Sequence, residues 1–206
     1  MSITVRIFSD FVCPFCYVAS GIIDKLSDEF DLDVTWVGHE LHPETPPEGV
    51  DVLEMVDPFD LEQVTATLRE RGEPYGLTFC DMERLSNSRL ALEAAEFARD
   101  AGHYKDFHHA AFRAYFTEGR DLGDRDVLRA IAKECGLDVA AMDVALEDRR
   151  YSERIDQGDE EAERLGVKAI PCFFIEDQPR LIGAVSEKEF RERLKQAANG
   201  RKLQPL

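Results

Sequence analysis

Residues 3–16 read ITVRIFSDFVCPFC, an apolar run followed closely by two cysteines with two residues between them. The β-branched residues of Ile3–Phe8 predict a buried strand. Pro14 suits the first position of a helix, where its missing N–H would have no intrahelical partner. Cys13 then lies at the helix N-terminus, where free N–H groups and the helix dipole stabilise a thiolate. A strand that leads into such a turn predicts a redox-active pair, Cys13 and Cys16, in an intracellular protein.

The elements that follow predict an α/β fold. Cys16–Phe30 carries apolar residues at helical spacing, and Leu32–Val37 predicts a second strand. A strand, a helix and a strand in this order indicate a parallel pair. The proline-rich His39–Pro58 predicts a long irregular connection, and the pattern from Asp60 to about Leu165 is helical almost throughout.

The ends of this helical block define the expected domain organisation. Residues that favour helix N-termini mark its helix starts, namely Asp60, Ser86 or Asn87, Asp124 and Asp138. The chain returns to strands at Ile170–Ile175 and Arg180–Gly183, and Ser186 with Glu189 predicts a capping box for a last helix. We therefore expect an α/β unit, residues 1–57 and 160–206, interrupted by a helical insertion, residues 58–159.

Charge and cysteine usage limit the expected partners and compartment. The 42 acidic and 25 basic residues give a net charge of −17, which disfavours binding to nucleic acid or to a membrane surface. The N-terminus lacks the pattern of a signal peptide, and no apolar run approaches the ~20 residues that span a bilayer. Five cysteines with one close pair do not fit a secreted disulfide scaffold. We expect a cytoplasmic protein.

The sequence resembles the DsbA-type branch of the thioredoxin superfamily. The features that carry the resemblance are Cys13-Pro14-Phe15-Cys16 after a first strand, the helical block, and Gly166–Pro171 before a hairpin. Within that branch the FrnE-like subfamily is the most similar, on the stretches Asp10–Tyr17, His39–Pro43 and Asn87-Ser88. This subfamily is related to the 2-hydroxychromene-2-carboxylate isomerases and the kappa-class glutathione transferases. The resemblance covers essentially the whole chain.

The resemblance implies a thioredoxin fold with an inserted helical domain, and thiol–disulfide exchange. It implies that Cys13 is an exposed nucleophile, that Cys16 is a more buried resolving thiol, and that the peptide bond before Pro171 is cis. The backbone of Ile170 and Pro171 would then pair with an extended substrate segment.

Three further residues are expected at the substrate site. Pro14 and Phe15 occupy the middle of the Cys-x-x-Cys motif, where side chains tend to be exposed. In the isomerase and kappa relatives an Asn-Ser or Asn-Thr pair at the position of Asn87 touches glutathione or substrate. Asparagine is also a common helix N-cap, so capping of a helix and contact with substrate both stay open for Asn87.

The sequence departs from these relatives at three positions. Phe15 stands where exported DsbA proteins have a histidine that stabilises the thiolate, so we expect a less oxidising couple. Ile7 stands where thioredoxins carry a buried acid, and Asp10 is the nearest acidic residue. Cys13 stands where the isomerase and kappa relatives commonly have serine, which argues against their chemistry.

The cysteines also allow other interpretations. A Cys-x-x-Cys pair can be half of a structural zinc site, but no second pair has the required spacing, and we expect no metal. Cys172 is either a core residue, the interpretation we favour, or a third redox thiol. Cys80 and Cys135 are core or surface thiols, unless their Cα atoms lie within the ~7 Å of each other that a disulfide requires.

The sequence thus predicts a thiol–disulfide oxidoreductase acting on protein or low-molecular-weight substrates. We expect the enzyme to need no cofactor apart from its own Cys13–Cys16 disulfide. Glutathione is an alternative to a protein as the co-substrate. One rival is a glutathione-dependent isomerase or transferase, whose turnover survives loss of Cys16. The other is a non-catalytic chaperone-like module, which works without Cys13. Neither the direction of electron flow nor the oligomeric state follows from the sequence.

Overall fold

The computed structural model describes residues 2–201, and a four-stranded sheet lies at its centre. Strands β1 (Ile3–Ser9) and β2 (Leu32–Gly38) run parallel, and helix α1 (Pro14–Ser27) connects them. Their register is continuous from the first residue of each strand to the last. The parallel pair predicted from the element order is confirmed, although α1 ends at Ser27 rather than at Phe30.

Two further strands complete this sheet. Strand β5 (Cys172–Ile175) is antiparallel to β1, and β6 (Leu181–Ile182) is antiparallel to β5, which gives the order β2-β1-β5-β6. Strand β5 begins at Cys172 and not at Ile170, because Pro171 has no N–H for a ladder bond. Helix α8 (Glu187–Arg201) follows, and the Ser186 hydroxyl accepts a hydrogen bond from the Glu189 N–H at 3.2 Å, as a capping box requires.

The block between β2 and β5 is mostly but not wholly helical. Its helices are α2 (Pro58–Gly72), α3 (Arg89–Asp100), α4 (Tyr104–Phe112), α5 (Arg125–Glu134), α6 (Val139–Glu147) and α7 (Ser152–Arg164). A π-helical turn, Arg113–Thr117, extends α4. Strands β3 (Val50–Asp51) and β4 (Arg84–Leu85) form a small antiparallel sheet, so the prediction of almost continuous helix is wrong around residues 76–88.

Two of the predicted helix starts are displaced. The Asp57 carboxylate accepts a hydrogen bond from the Phe59 N–H at 2.9 Å, and α2 begins at Pro58, so the start predicted at Asp60 is wrong. Helix α3 begins at Arg89, later than either predicted start. The other two starts are confirmed by side-chain caps, in which Asp124 accepts from the Asp126 N–H and Asp138 from the Ala141 N–H.

One hydrophobic core joins the sheet to the helical block. The Tyr17 ring of α1 stacks on Phe112 and Phe116 at centroid distances of 5.5 and 5.4 Å. Helix α7 contacts both β2 and α3, and it crosses the domain boundary that the sequence places at residue 160. Across residues 2–201, no helix has the length and apolarity needed to cross a bilayer.

Candidate active site

The Cys-x-x-Cys motif lies at the junction of β1 and α1. Cys13 occupies the N-cap position with extended backbone angles, φ −88° and ψ 111°, and Pro14 is the first helical residue. The Cys13 carbonyl accepts hydrogen bonds from the N–H groups of Cys16 and Tyr17, at 3.0 and 3.3 Å. The first turn of α1 contains no acidic residue. The placement of Cys13 at the helix N-terminus is as predicted.

The thiol of Cys13 is more enclosed than the family resemblance implies. Cys13 is only 2% exposed and belongs to the hydrophobic core cluster, so the expectation of an exposed nucleophile is wrong for this structure. The reason is the neighbouring loop, because the Cys13 thiol donates to the Ile170 carbonyl at 3.6 Å. Cys13 is thus largely closed off from solvent in this structure.

Cys16 has the environment of a resolving thiol. It is fully buried, and this burial raises its pKa well above that of a free thiol, with the adjacent Cys13 thiol acting in the same direction. The Ser9 side chain and the Asp10 backbone oppose this rise through hydrogen bonds to the sulfur. Cys16 is thus protonated at neutral pH while the dithiol is reduced.

The loop before β5 completes the arrangement around the dithiol. The Ile170–Pro171 peptide bond is cis, as the resemblance implies, and both residues are buried. The Pro171 carbonyl accepts a hydrogen bond from the Gly183 N–H at 2.7 Å, which fixes the loop to the end of β6. Phe15 is half-buried and lines a shallow depression together with Arg71 of α2 and residues 183–185. The structure thus brings the two cysteines, Phe15 and the Ile170–Pro171 loop together.

A buried carboxyl group three residues before Cys13 holds the surrounding segments in place. Asp10 is 0% exposed, and it accepts hydrogen bonds from the Leu41 N–H at 2.7 Å, the Ser88 hydroxyl at 3.0 Å and the Val12 N–H at 3.4 Å. Burial raises the pKa of Asp10 to about 6 against the effect of these hydrogen bonds. The sequence singled out Asp10 only as the nearest acid, because its three partners are distant segments or backbone groups that no local pattern reveals.

The side chain of Asn87 is occupied by contacts within the protein. Its amide nitrogen donates to the Thr45 carbonyl at 2.6 Å, and its oxygen accepts from the Arg89 N–H at 3.0 Å. The second contact satisfies a free N–H at the start of α3. Both ends of the amide are therefore used, which favours the capping interpretation over contact with a substrate.

The other cysteines lie outside the dithiol pair. Cys172 is buried in β5, opposite Phe8 of β1 and Ile182 of β6, which is the core position that we favoured from the sequence. Cys80 and Cys135 are partly exposed free thiols. Among residues 2–201, no group of three or more His, Cys, Asp or Glu side chains is arranged to hold a metal ion.

Comparisons with known proteins agree with this architecture. Residues 4–195 match the model of the DSBA-like thioredoxin domain. The chain is 30% identical over 181 residues to the uncharacterized protein YwbO of Bacillus subtilis, covering 86% of this chain and 88% of that protein.

Two solved structures extend the comparison to the fold. A probable DsbA oxidoreductase of Streptomyces coelicolor superposes with a TM-score of 0.87 at 26% identity, over 99% of this chain and 92% of that one. A 2-hydroxychromene-2-carboxylate isomerase superposes with a TM-score of 0.79 at 19% identity, over 98% and 100%, and this likeness is one of fold alone. The chain therefore belongs to the DSBA-like thioredoxin domain family and has its α/β thioredoxin fold.

Proposed function

We propose that this protein is a thiol–disulfide oxidoreductase that uses Cys13 and Cys16 as its redox couple. The observation that carries the proposal is the position of Cys13 at the N-cap of α1, with its sulfur 3.6 Å from the carbonyl of Ile170. The loop that adjoins Cys13 offers backbone groups to an extended substrate.

The proposed reaction transfers two electrons from the dithiol to a substrate disulfide. The Cys13 thiolate attacks one substrate sulfur, which forms a mixed disulfide and releases the other sulfur as a thiolate. Cys16 then attacks the Cys13 sulfur, which forms the Cys13–Cys16 disulfide and releases the second substrate sulfur as a thiolate that takes up the Cys16 proton. Two molecules of a low-molecular-weight thiol such as glutathione reduce the protein again and leave as their disulfide, and oxidation of a substrate dithiol follows the same steps in reverse.

We place this reaction in the cytoplasm, and in the direction of reduction or isomerisation. The odd number of cysteines with one close pair fits a reducing compartment, where disulfides are transient and catalytic. Phe15 leaves the motif without a histidine that would stabilise the Cys13 thiolate, which favours a reductant over a strong oxidant.

The proposal is tested by reduction of 2-hydroxyethyl disulfide, followed for the native chain and for three single cysteine variants. Cys13→Ser should reduce the rate to background, and Cys16→Ser should accumulate a mixed disulfide on Cys13 that mass spectrometry detects. Cys172→Ala is the matched control, a buried cysteine outside the couple, and should keep the native rate. Full activity of Cys13→Ser would refute the proposal.

The same variants separate the two rivals. A glutathione-dependent isomerase or transferase would bind glutathione tightly and keep its turnover in Cys16→Ser. A chaperone-like module would suppress client aggregation equally well in the native chain and in Cys13→Ser. The retained Cys13, where the isomerase and kappa relatives commonly have serine, is the reason for ranking the isomerase or transferase below disulfide exchange.

A further inference from the structure

A run of apolar side chains is exposed at the start of the helical block. Every residue from 53 to 60 is exposed, including Leu53, Met55, Val56 and Phe59, and Val64 lies on the next turns of α2. Phe59 is 66% exposed, which is unusual for a phenylalanine in a folded chain. Clusters of this kind mark sites of interaction with another molecule. We call residues 53–64 the apolar segment.

The charge around the apolar segment has a single sign. Residues 43–68 contain seven acidic residues and no lysine, arginine or histidine. Asp51, Glu54, Asp57, Asp60 and Glu62 are all exposed, and none of them forms an ion pair with a cation in the part of the chain that the structure describes. A partner for this surface therefore carries apolar side chains together with positive charge.

The helix that carries the apolar segment packs against α1. Arg71 of α2 lines the same depression as Phe15 of the Cys-x-x-Cys motif. Phe59 precedes Arg71 by twelve residues, which is ~18 Å of helix, so the apolar segment lies about that far along α2 from this depression.

An acidic cavity adjoins the apolar segment. It has a volume of about 500 Å³, and Asp51, which immediately precedes the segment, is one of its lining residues. Five carboxylates line it, from Asp51, Asp81, Glu83, Glu118 and Asp121. Glu118 pairs with Arg113 and Arg120, Asp81 pairs with Arg69, and the Arg84 guanidinium donates to the Glu48 carbonyl. Asp51, Glu83 and Asp121 form no ion pair with a cation among the described residues. The cavity has the size and charge to receive a lysine or arginine side chain.

We propose that the apolar segment and the acidic cavity bind disulfide-bearing polypeptides in which lysine or arginine stands among apolar residues. The apolar side chains of the client pack on the segment, its basic side chain enters the cavity, and its disulfide lies at Cys13. The inference rests on the proposed function and adds a class of substrate to it. A strongly acidic enzyme would thereby prefer basic clients over small neutral disulfides.

Binding is tested without chemistry, using the Cys13→Ser chain and two fluorescein-labelled peptides. The peptides share their apolar residues and one internal disulfide, and differ only in carrying lysine or glutamate. We expect the lysine peptide to bind at least about tenfold more tightly at low salt, with a difference that shrinks as salt is added. Equal affinity for the two peptides would overturn the inference. The activity of the native chain on 2-hydroxyethyl disulfide, measured separately, decides the proposed function.

Two pairs of variants locate the binding surface. Met55→Ser/Phe59→Ser should weaken binding of the lysine peptide about tenfold, while Val144→Ser, which changes an exposed valine on α6, should not. Asp60→Lys/Glu62→Lys should remove the preference for lysine, while the same change of charge at exposed Glu147 and Glu160 should retain it. Equal effects within either pair would contradict the assigned surface.

A second copy of this chain is the competing occupant of the apolar segment. Analytical ultracentrifugation of the native chain and of Met55→Ser/Phe59→Ser distinguishes the two cases. The inference expects the same molecular mass for both proteins across the concentration range. A native dimer that dissociates in the double variant would assign the segment to self-association and overturn the inference.

Discussion

Asp10 is the residue that connects the Cys-x-x-Cys motif to the rest of the candidate site. Its carboxyl group accepts from the Val12 N–H beside Cys13, from the Leu41 N–H in the long loop after β2, and from the Ser88 hydroxyl at the start of α3. A buried carboxylate needs such donors, because removing it from water without them is costly. Asp10 is therefore a positioning residue that fixes two distant segments to the turn carrying the dithiol.

Replacing Asp10 with asparagine should change how stability depends on pH. Burial raises the pKa of Asp10 to about 6, above the value of ~3.9 expected in the unfolded chain, so the folded state binds the proton more tightly. The contribution of Asp10 is therefore most favourable below about pH 4 and declines as pH rises to about 6. The rise in the pKa of Asp10 from ~3.9 to about 6 corresponds to ~3 kcal/mol of unfolding free energy.

The measurement is urea unfolding of the native chain and of Asp10→Asn between pH 4 and pH 7.5. The difference in unfolding free energy, native minus variant, should fall by ~2–3 kcal/mol across this range and then become constant. The difference cancels the titration of groups that the substitution leaves unchanged. The negative charge of the neighbouring Glu40 also raises the pKa of Asp10. A difference that is constant from pH 4 to 7.5 would contradict the assigned burial of the Asp10 charge.

At the scale of elements, three consecutive residues at the start of α3 hold Asp10 and the loop between β2 and β3. Asn87 donates to the Thr45 carbonyl, Ser88 donates to Asp10, and Arg89 pairs with Glu40 at 2.7 Å. Arg89 also pairs with Glu93, a carboxylate that is 0% exposed, at 3.0 Å. The helical block thus contributes to the candidate site by holding Asp10 and the loop that contacts it.

Truncating Arg89 should destabilise the fold strongly. The second oxygen of Glu93 already has no hydrogen-bond partner among the described residues, so its charge depends on Arg89 and Arg149. Arg89→Ala leaves the Glu93 charge with Arg149 alone and leaves the largely buried Glu40 without its arginine, and we expect it to cost ~3–5 kcal/mol in urea unfolding.

Two further variants check this reason. Arg113→Ala removes an arginine whose pairs with Glu118 and Glu134 are exposed, and should cost less than ~1 kcal/mol. Adding Glu93→Gln to Arg89→Ala should recover part of the loss, since the buried charge is then gone. A loss for Arg89→Ala no larger than that for Arg113→Ala would show that the cluster is not the buried network described.

The sequence predicted the elements better where the pattern was local. The strand-turn-helix at Ile3–Cys16 and the caps at Asp124 and Asp138 depend on neighbours within a few residues, and they were predicted correctly. The pairing of β3 with β4 joins segments more than thirty residues apart, and each strand is only two residues long. Such short strands show no periodicity, so the small sheet could not be predicted.

At the scale of the whole molecule, the fold was predictable and the enclosure of the site was not. The order of strands and helices, with one Cys-x-x-Cys turn, led to the α/β thioredoxin fold that the family match and the superpositions show. The burial of Cys13 arises from a loop that lies 157 residues further along the chain. No local pattern gives the distance between two segments so far apart, and the exposed thiol was therefore predicted wrongly.

The central claim, that Cys13 and Cys16 form a reversible redox couple, is tested most directly by their reduction potential. The native chain and Cys13→Ser are equilibrated with glutathione redox buffers, and the fraction of disulfide is determined after alkylation. We expect a single two-electron transition in the native chain, at a potential below the ~−120 mV of DsbA, and no transition in Cys13→Ser. The absence of a reversible transition in the native chain would contradict the account.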